Sequence, residues 1–151
     1  DRFLIKTSVG YPGHQVSVDL LRQVNIRDRA QTVSPVLAGD DILALRGIGE
    51  RIHIDDNILE YIVRIVEATR HDENIAIGSS MRGALALTRC ARIWAASDGR
   101  GYVVPDDVKD LAVAVLSHRI KLTAEATFAG LTTDETISRM LETVPVPSLG
   151  A

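Results

Sequence analysis

The sequence predicts an all-α protein, a bundle of about five to six helices preceded by one short N-terminal strand. Phe3, Ile5, Thr7 and Val9 alternate with their neighbours as in a strand, whereas from residue 14 onwards apolar residues recur about every 3.6 positions, as in helices. The composition agrees, because 46% of the 151 residues are hydrophobic and 25% are charged, which suits one globular domain. Since only 4% are aromatic, the core has to be aliphatic.

The strand ends at the turn 10–13, and two helices are expected after it. A single strand cannot satisfy its own backbone hydrogen bonds, so we expect its partners in sequence that precedes this chain. The first helix is predicted over residues 14–27. The second, over residues 39–50, contains Gly47 and Gly49, which should weaken its C-terminal end.

The next two helices have clear start signals. Asp55 is suited to cap a helix over residues 56–70, whose isoleucine, leucine and valine residues form one apolar face. Ser79 or Ser80 is suited to cap a helix that runs to about Ser97.

Two further helices follow in the C-terminal third of the chain. Pro105 is suited to the first position of a helix in "VPDDVKDLAVAVLSHR", where apolar residues follow at helical spacing. Thr132 and Glu135 are spaced to form a capping box for a last helix, which ends before "PVPSLG".

Charge and composition restrict the function classes. The net charge is −3 and the pI is about 5.8, and no block of lysine and arginine is present, so a nucleic-acid partner is disfavoured. The longest aliphatic run, "LAVAVL", is too short to span a bilayer, and no signal-peptide pattern opens the chain. The single cysteine, Cys90, fits a reducing compartment. We therefore expect a cytoplasmic protein without a membrane span.

The sequence contains no self-contained catalytic centre. The four histidines lack metal-binding spacing, so no metal site is predicted. The glycine-rich fingerprints of phosphate loops and dinucleotide sites and the nucleophile elbow of hydrolases are also missing.

Two arginines stand in unusual positions. Arg82, in "GSSMRGALAL", falls in the first turn of a helix, where a cation costs roughly 0.3–1 kcal/mol unless an anion is near. With Ser79 and Ser80 beside it, this helix start is suited to bind phosphate; alternatively, the Arg82 stem covers apolar surface while its charge reaches water. Arg2, in "DRF", is either functional or a surface arginine paired with Asp1 or another acid.

Several segments together resemble the C-terminal part of MoxR-type AAA+ ATPases. They are, in order, "DRFLIKTSVGYP", "YIVRIVEATR", "GSSMRGALAL", "GRGYVVPDDVKDLAVAVLSHRI" and "LETVPVP". The resemblance implies that residues 1–12 are the terminal strand and hinge of an α/β core, that residues 13–122 are the helical lid of the AAA+ type, and that residues 123–151 are a C-terminal helix and tail.

The resemblance also implies site residues. Arg82 matches the sensor 2 arginine that contacts nucleotide phosphates together with Ser79 and Ser80, and Arg2 matches an arginine finger offered in trans to an adjacent subunit. Tyr11 and Pro12 match the core–lid hinge. Met81 departs from the family, which usually has proline there, so the first turn should be less rigid.

The resemblance implies a lid that couples ATP binding and hydrolysis to chaperone-like remodelling. ATP and Mg²⁺ would bind in the full-length protein, whereas this chain alone would bind neither tightly and would be inactive. The implied partners are neighbouring subunits of a homo-oligomeric ring and von Willebrand factor A-domain proteins. The alternatives are a stand-alone helical module that binds a protein segment in an apolar groove and, disfavoured by the acidic balance, a nucleic-acid-binding helical domain.

Overall fold

The computed structural model describes residues 2–22 and 33–148, which form a helical fold with one small two-stranded sheet. The described residues contain α1 (His14–Arg22), α2 (Gly39–Arg51), α3 (Asp56–His71), β1 (Ile75–Ile77), α4 (Met81–Ser97), α5 (Pro105–Leu116), a 3₁₀ turn (Ser117–Arg119), β2 (Lys121–Leu122), α6 (Ala124–Phe128) and α7 (Thr133–Thr143). The predicted all-α class is confirmed.

The predicted helix starts are confirmed by their hydrogen bonds. Asp55 Oδ1 accepts the Asn57 N–H at 2.9 Å at the start of α3. Pro105 occupies the first turn of α5. At α7 the bonds are reciprocal, since Thr132 Oγ1 accepts the Glu135 N–H at 3.2 Å and the Glu135 carboxylate accepts the Thr132 N–H at 3.0 Å.

The core lies between α3, α4, α5 and α7 and is aliphatic, as expected. Its fully buried side chains come from all four helices: Ile58, Ile62, Ile65, Leu87, Ala91, Val108, Val115, Leu116 and Ile137. Because α7 contributes Ile137 to the same core, the packing is continuous across residue 122, where the lid was expected to end.

The N-terminal strand expected at residues 3–9 is not formed within residues 2–12, which hold no strand. A strand needs a neighbouring strand to take up its backbone groups. Here the segment makes one backbone hydrogen bond to the helical body, from the Lys6 N–H to the Ala114 carbonyl of α5 at 2.8 Å.

The first helix is confirmed over its described part. Of the expected helix 14–27, residues 14–22 are helical and residues 23–27 lie outside the described part of the chain. No residue of α1 is buried, and Leu21 is 73% exposed. The described residues of its apolar stripe, which are Val16, Leu20 and Leu21, are therefore exposed.

Three short elements were not anticipated. Strands β1 and β2 pair antiparallel with Ile75 opposite Leu122, and α6 is a helix of five residues. Elements this short span less than about two periods of their hydrophobic pattern, so periodicity cannot detect them. In the described residues no helix combines the length and the apolar character that a membrane crossing requires.

Candidate functional site

The start of α4 is held firmly against the end of α3. The Ser79 N–H donates to Thr69 Oγ1 at 2.9 Å, and Arg70 Nε donates to the Ser79 carbonyl at 2.9 Å. A Cβ at Gly78 would lie 2.6 Å from the Thr69 carbonyl oxygen, so only glycine allows this close approach. The loop before α4 therefore has a fixed position.

The two predicted site serines have their hydroxyl groups engaged within the protein. Ser79 is 1% exposed, and its Oγ donates to the Ser80 carbonyl at 3.4 Å and lies next to Gly83, where a Cβ would be 2.1 Å away. Ser80 is the N-cap of α4, because its Oγ accepts the Arg82 N–H at 3.2 Å. Both serines help to fix the helix start, and neither lines the cleft described next.

Arg82 opens onto a cleft of about 350 Å³ that also contains the second predicted arginine, Arg2. The cleft is lined by Arg2, Leu4, Arg82, Leu85, Ala86, Arg89 and Arg119. Four of these seven residues are arginines, and none is acidic. The two arginines that the sequence singled out separately, 80 positions apart, thus meet at one surface.

Three arginines of the cleft have no acidic partner among the described residues. None of the ion pairs formed there involves Arg2, Arg82 or Arg89. The first turn of α4 contains no acidic residue either, so the positive end of its dipole adds to the arginine charges. An anion bound here would relieve this repulsion, and planar guanidinium groups are suited to phosphate oxygens.

The sequence prediction missed two of the four arginines. Arg89 follows Arg82 by seven residues, which is two helical turns, so the helical period carried a signal that it shares the face of Arg82. Arg119 follows α5 and comes to the cleft only through the packing of α5 on α4. No spacing in the sequence could have placed it there.

The predicted hinge residues are exposed to solvent. Tyr11 is fully exposed, and Pro12 is exposed. No atom lies within 4 Å of a Cβ placed at either flanking glycine, Gly10 or Gly13. This junction between the N-terminal segment and α1 is unrestrained by packing. Its role as a hinge stays a prediction.

The described residues of the cleft fit the phosphate groups of a nucleotide but include no ligand for a metal ion. In the described part of the chain no three histidine, cysteine, aspartate or glutamate side chains are grouped so that they can hold a metal. Mg²⁺ prefers carboxylate and phosphate oxygens, and none of the described lining residues carries a carboxylate. Protein ligands for Mg²⁺ would have to come from outside the described residues.

Comparisons with known proteins point to one family. Residues 67–140 match the AAA lid domain family. The chain is 37% identical over 147 residues to the uncharacterized protein YeaC of Bacillus subtilis and 32% identical over 160 residues to Chaperone MoxR1 of Mycobacterium tuberculosis. These alignments cover 97% and 100% of this chain but 46% and 42% of those proteins, so the chain spans less than half the length of these relatives.

A solved structure has a similar fold over nearly the whole of this chain. The crystal structure of a putative ATPase from Cytophaga hutchinsonii superimposes with a TM-score of 0.84 at 28% sequence identity, covering 97% of this chain and 47% of that one. The structural similarity supports the fold, and the AAA lid match and the relatives named MoxR support the family. The chain belongs to the MoxR family of AAA+ ATPases and corresponds to the C-terminal, lid-bearing part of its members.

Proposed function

We propose that this chain is the lid portion of an ATPase that couples ATP binding and hydrolysis to the remodelling or maturation of partner proteins. The observation that carries the proposal is the cleft at the start of α4, where four arginines meet and none of the described lining residues is acidic. A site of that composition attracts a polyanion, and the triphosphate of a nucleotide is the polyanion that the family uses. The name Chaperone MoxR1 of the Mycobacterium tuberculosis relative supports the remodelling role.

Each arginine has a distinct part in this proposal. Arg82 contacts the phosphates from the first turn of α4, as a sensor 2 residue. Arg2 stabilises the charge that develops during phosphoryl transfer, as an arginine finger does. Arg89 and Arg119 line the same cleft and raise its positive potential. Phosphate binding by Ser79 and Ser80 remains a prediction, and their hydrogen bonds favour a role in fixing the helix start.

ATP and Mg²⁺ would bind in the full-length protein. When bound, the nucleotide supplies the phosphoanhydride bond that is cleaved, and this chain contributes cations that bind and orient its phosphates. Because the sequence has no phosphate loop and the described residues hold no candidate metal site, we expect the chain alone to lack turnover. An ATPase assay of the isolated chain checks this, and turnover above contaminant level would refute it.

The shared cleft links the subunit whose nucleotide Arg2 contacts to the subunit whose nucleotide Arg82 contacts. Arg2 and Arg82 open onto one surface of one chain, so they would reach the same nucleotide. If Arg2 acts in trans, on the nucleotide of a neighbouring subunit, Arg82 acts in trans as well. This arrangement requires the homo-oligomeric ring that the family resemblance implies.

Arg82→Ala in the full-length protein tests the proposal. The change removes a charge-assisted contact worth roughly 1.5–3 kcal/mol, so ATP affinity or kcat/KM should fall by about 10- to 100-fold. Thermal stability should not fall, because the arginine opposes the α4 dipole. Arg139→Ala, an exposed arginine of α7 away from the cleft, is the matched control. If Arg82→Ala lowers the thermal stability but leaves ATP affinity and kcat/KM unchanged, Arg82 is a structural residue.

Mixed rings test the direction of action. An arginine finger is worth about 10³–10⁵ in rate, so Arg2→Ala should abolish most turnover and leave nucleotide affinity nearly intact. If both arginines act in trans, each single variant regains activity when mixed with a phosphate-loop-defective partner, whereas mixing Arg2→Ala with Arg82→Ala gives no recovery. Recovery in that last mixture would mean that the two arginines serve different nucleotides.

A second candidate function is a stand-alone helical module that binds a protein segment. The outward apolar faces of α1 and α2 favour it, since Leu21 is 73% exposed and Ile42 is 54% exposed. A phosphate loop in sequence that precedes Asp1 would support the ATPase instead. Assembly with von Willebrand factor A-domain proteins and a cytoplasmic location remain proposals based on the family.

A further inference from the structure

The backbone that carries Arg2 is held at the end of α5 by two basic side chains. Nε2 of His118 lies 3.1 Å from the Phe3 carbonyl oxygen, and since a carbonyl only accepts, the imidazole donates. Arg119 Nη2 donates to the same oxygen and, at 3.3 Å, to the Leu4 carbonyl. Two donors from consecutive residues thus converge on the residue next to Arg2.

One of the two donors, Arg119, is itself oriented by a further hydrogen bond. Arg119 Nε donates to the Val115 carbonyl in the last turn of α5 at 2.8 Å, which fixes its guanidinium group. The His118 Nδ1 atom is buried and has no hydrogen-bond partner among the described residues. Among the described residues, the imidazole therefore makes its hydrogen bond through Nε2, to the Phe3 carbonyl.

Hydrophobic burial does not hold this segment in place. Phe3 is 79% exposed and Leu4 is 49% exposed, so neither side chain anchors the chain in the core. Among the described residues, it is attached by the hydrogen bonds from His118 and Arg119 and by the Lys6 N–H bond to the Ala114 carbonyl. Removing one of them should loosen the segment without disturbing the core.

We propose that His118 and Arg119 are positioning residues that hold the Phe3–Leu4 backbone and so keep Arg2 beside Arg82 in the cleft. The inference rests on the proposed function, which places Arg2 at the nucleotide. Arg119 also lines the cleft, so changing it alters the charge of the cleft as well as the attachment. His118 does not line the cleft, and it therefore separates the two effects.

The test compares three variants of His118 in the full-length protein. His118→Phe keeps a ring but removes the donor, His118→Gln brings an amide nitrogen to the place of Nε2, and His118→Asn brings one only to the place of Nδ1. Hydrogen exchange of the peptide over residues 3–9, which contains the Lys6 amide, should rise about tenfold in His118→Phe, the factor expected for one lost hydrogen bond. His118→Asn should resemble His118→Phe, and His118→Gln should resemble the wild type.

Steady-state ATPase kinetics give the second readout. We expect His118→Phe to lower kcat by about tenfold with little change in KM, because a loosened Arg2 loses part of its contact in the transition state. Added to Arg2→Ala, His118→Phe should reduce kcat no further, since there is no finger left to position. His118→Gln should restore kcat.

Three results would overturn the inference. Unchanged exchange over residues 3–9 in both His118→Phe and His118→Asn would show that His118 does not hold the segment. Raised exchange with an unchanged kcat, in an enzyme that Arg2→Ala inactivates, would show that holding the segment does not position Arg2. If Arg2→Ala itself keeps full turnover, the assignment of Arg2 in the proposed function fails and the positioning role fails with it.

Discussion

At the scale of single residues, Tyr61 of α3 is a polar side chain in an aliphatic core. It is the largest fully buried side chain, with 0% exposure, and its hydroxyl has no hydrogen-bond partner among the described residues. Burial, with a smaller effect of the Asp106 carboxylate, raises the pKa of Tyr61. The ring therefore stabilises the core by its apolar area, and the hydroxyl opposes burial.

Tyr61→Phe should accordingly be neutral or stabilise the protein by up to about 1 kcal/mol, because it removes an unsatisfied hydroxyl and keeps the ring. Tyr61→Ala should cost about 3–5 kcal/mol, since it leaves a cavity the size of the ring. The free energy of urea unfolding measures both. A clear loss of stability in Tyr61→Phe would mean that the hydroxyl has a partner in solution.

At the scale of elements, the start of α5 depends on one carboxylate. Asp107 Oδ2 accepts the Val104 N–H at 2.8 Å, which caps the helix, and both carboxylate oxygens accept from the guanidinium group of Arg100. Burial by itself raises the pKa of Asp107, but the bonds from Arg100 and Val104 outweigh it, so the pKa lies below its ordinary value. The same pairing, with a further bond to Asp98, raises the pKa of Arg100.

Asp107→Asn should therefore destabilise the protein at pH 7 by about 1–3 kcal/mol, because a neutral amide cannot replace the charged pair. A carboxylate with a lowered pKa contributes stability that is present above its unfolded pKa, ordinarily 3.8, and that is lost as pH falls through the folded value. The difference between the two proteins should thus narrow below about pH 4.

Urea unfolding at several pH values checks this expectation. Asp110→Asn, an exposed aspartate of the same helix without an ion pair among the described residues, is the control and should cost little. If the stability difference between the wild type and Asp107→Asn stays constant down to pH 2, the charged Asp107 carboxylate is not the source of that difference.

At the scale of the whole molecule, α7 packs into the same hydrophobic core as the helices before it. Ile137 is 0% exposed and Met140 is 4% exposed, and α7 packs against α3 and α5. The AAA lid match also continues past residue 122 to residue 140, inside α7. We therefore expect α3, α4, α5 and α7 to unfold together, in one cooperative transition.

Ile137→Ala should cost about 2–5 kcal/mol and lower the single unfolding midpoint, because its cavity opens in the shared core. Phe128→Ala is the control: Phe128 is 96% exposed, so the expected change is within about 0.5 kcal/mol. Far-ultraviolet circular dichroism during thermal unfolding shows whether the helices unfold in one transition or in two. Two transitions, with only the minor one shifted by Ile137→Ala, would indicate that α7 is a separate unit.

The sequence by itself determined the helical class and the helix starts, and it singled out two of the arginines that line the cleft. Asp55, Ser80 and Thr132 act as caps because a side-chain oxygen bonds to an N–H two or three residues away, so the signal is local and readable. The charge–dipole conflict at Arg82 is equally local. The sequence did not reveal that the apolar stripe of α1 stays exposed, since periodicity shows amphipathicity and not what covers it.

Only the tertiary structure decided which arginines share a surface. Arg2, Arg82 and Arg119 are far apart in the chain, and they meet because α5 packs on α4 and because the end of α5 holds the backbone of Phe3 and Leu4. Likewise, the expected N-terminal strand became a segment bound through single hydrogen bonds, because strand formation depends on a neighbouring strand. Local patterns fix local structure, whereas a site built from distant residues depends on packing that no short-range pattern encodes.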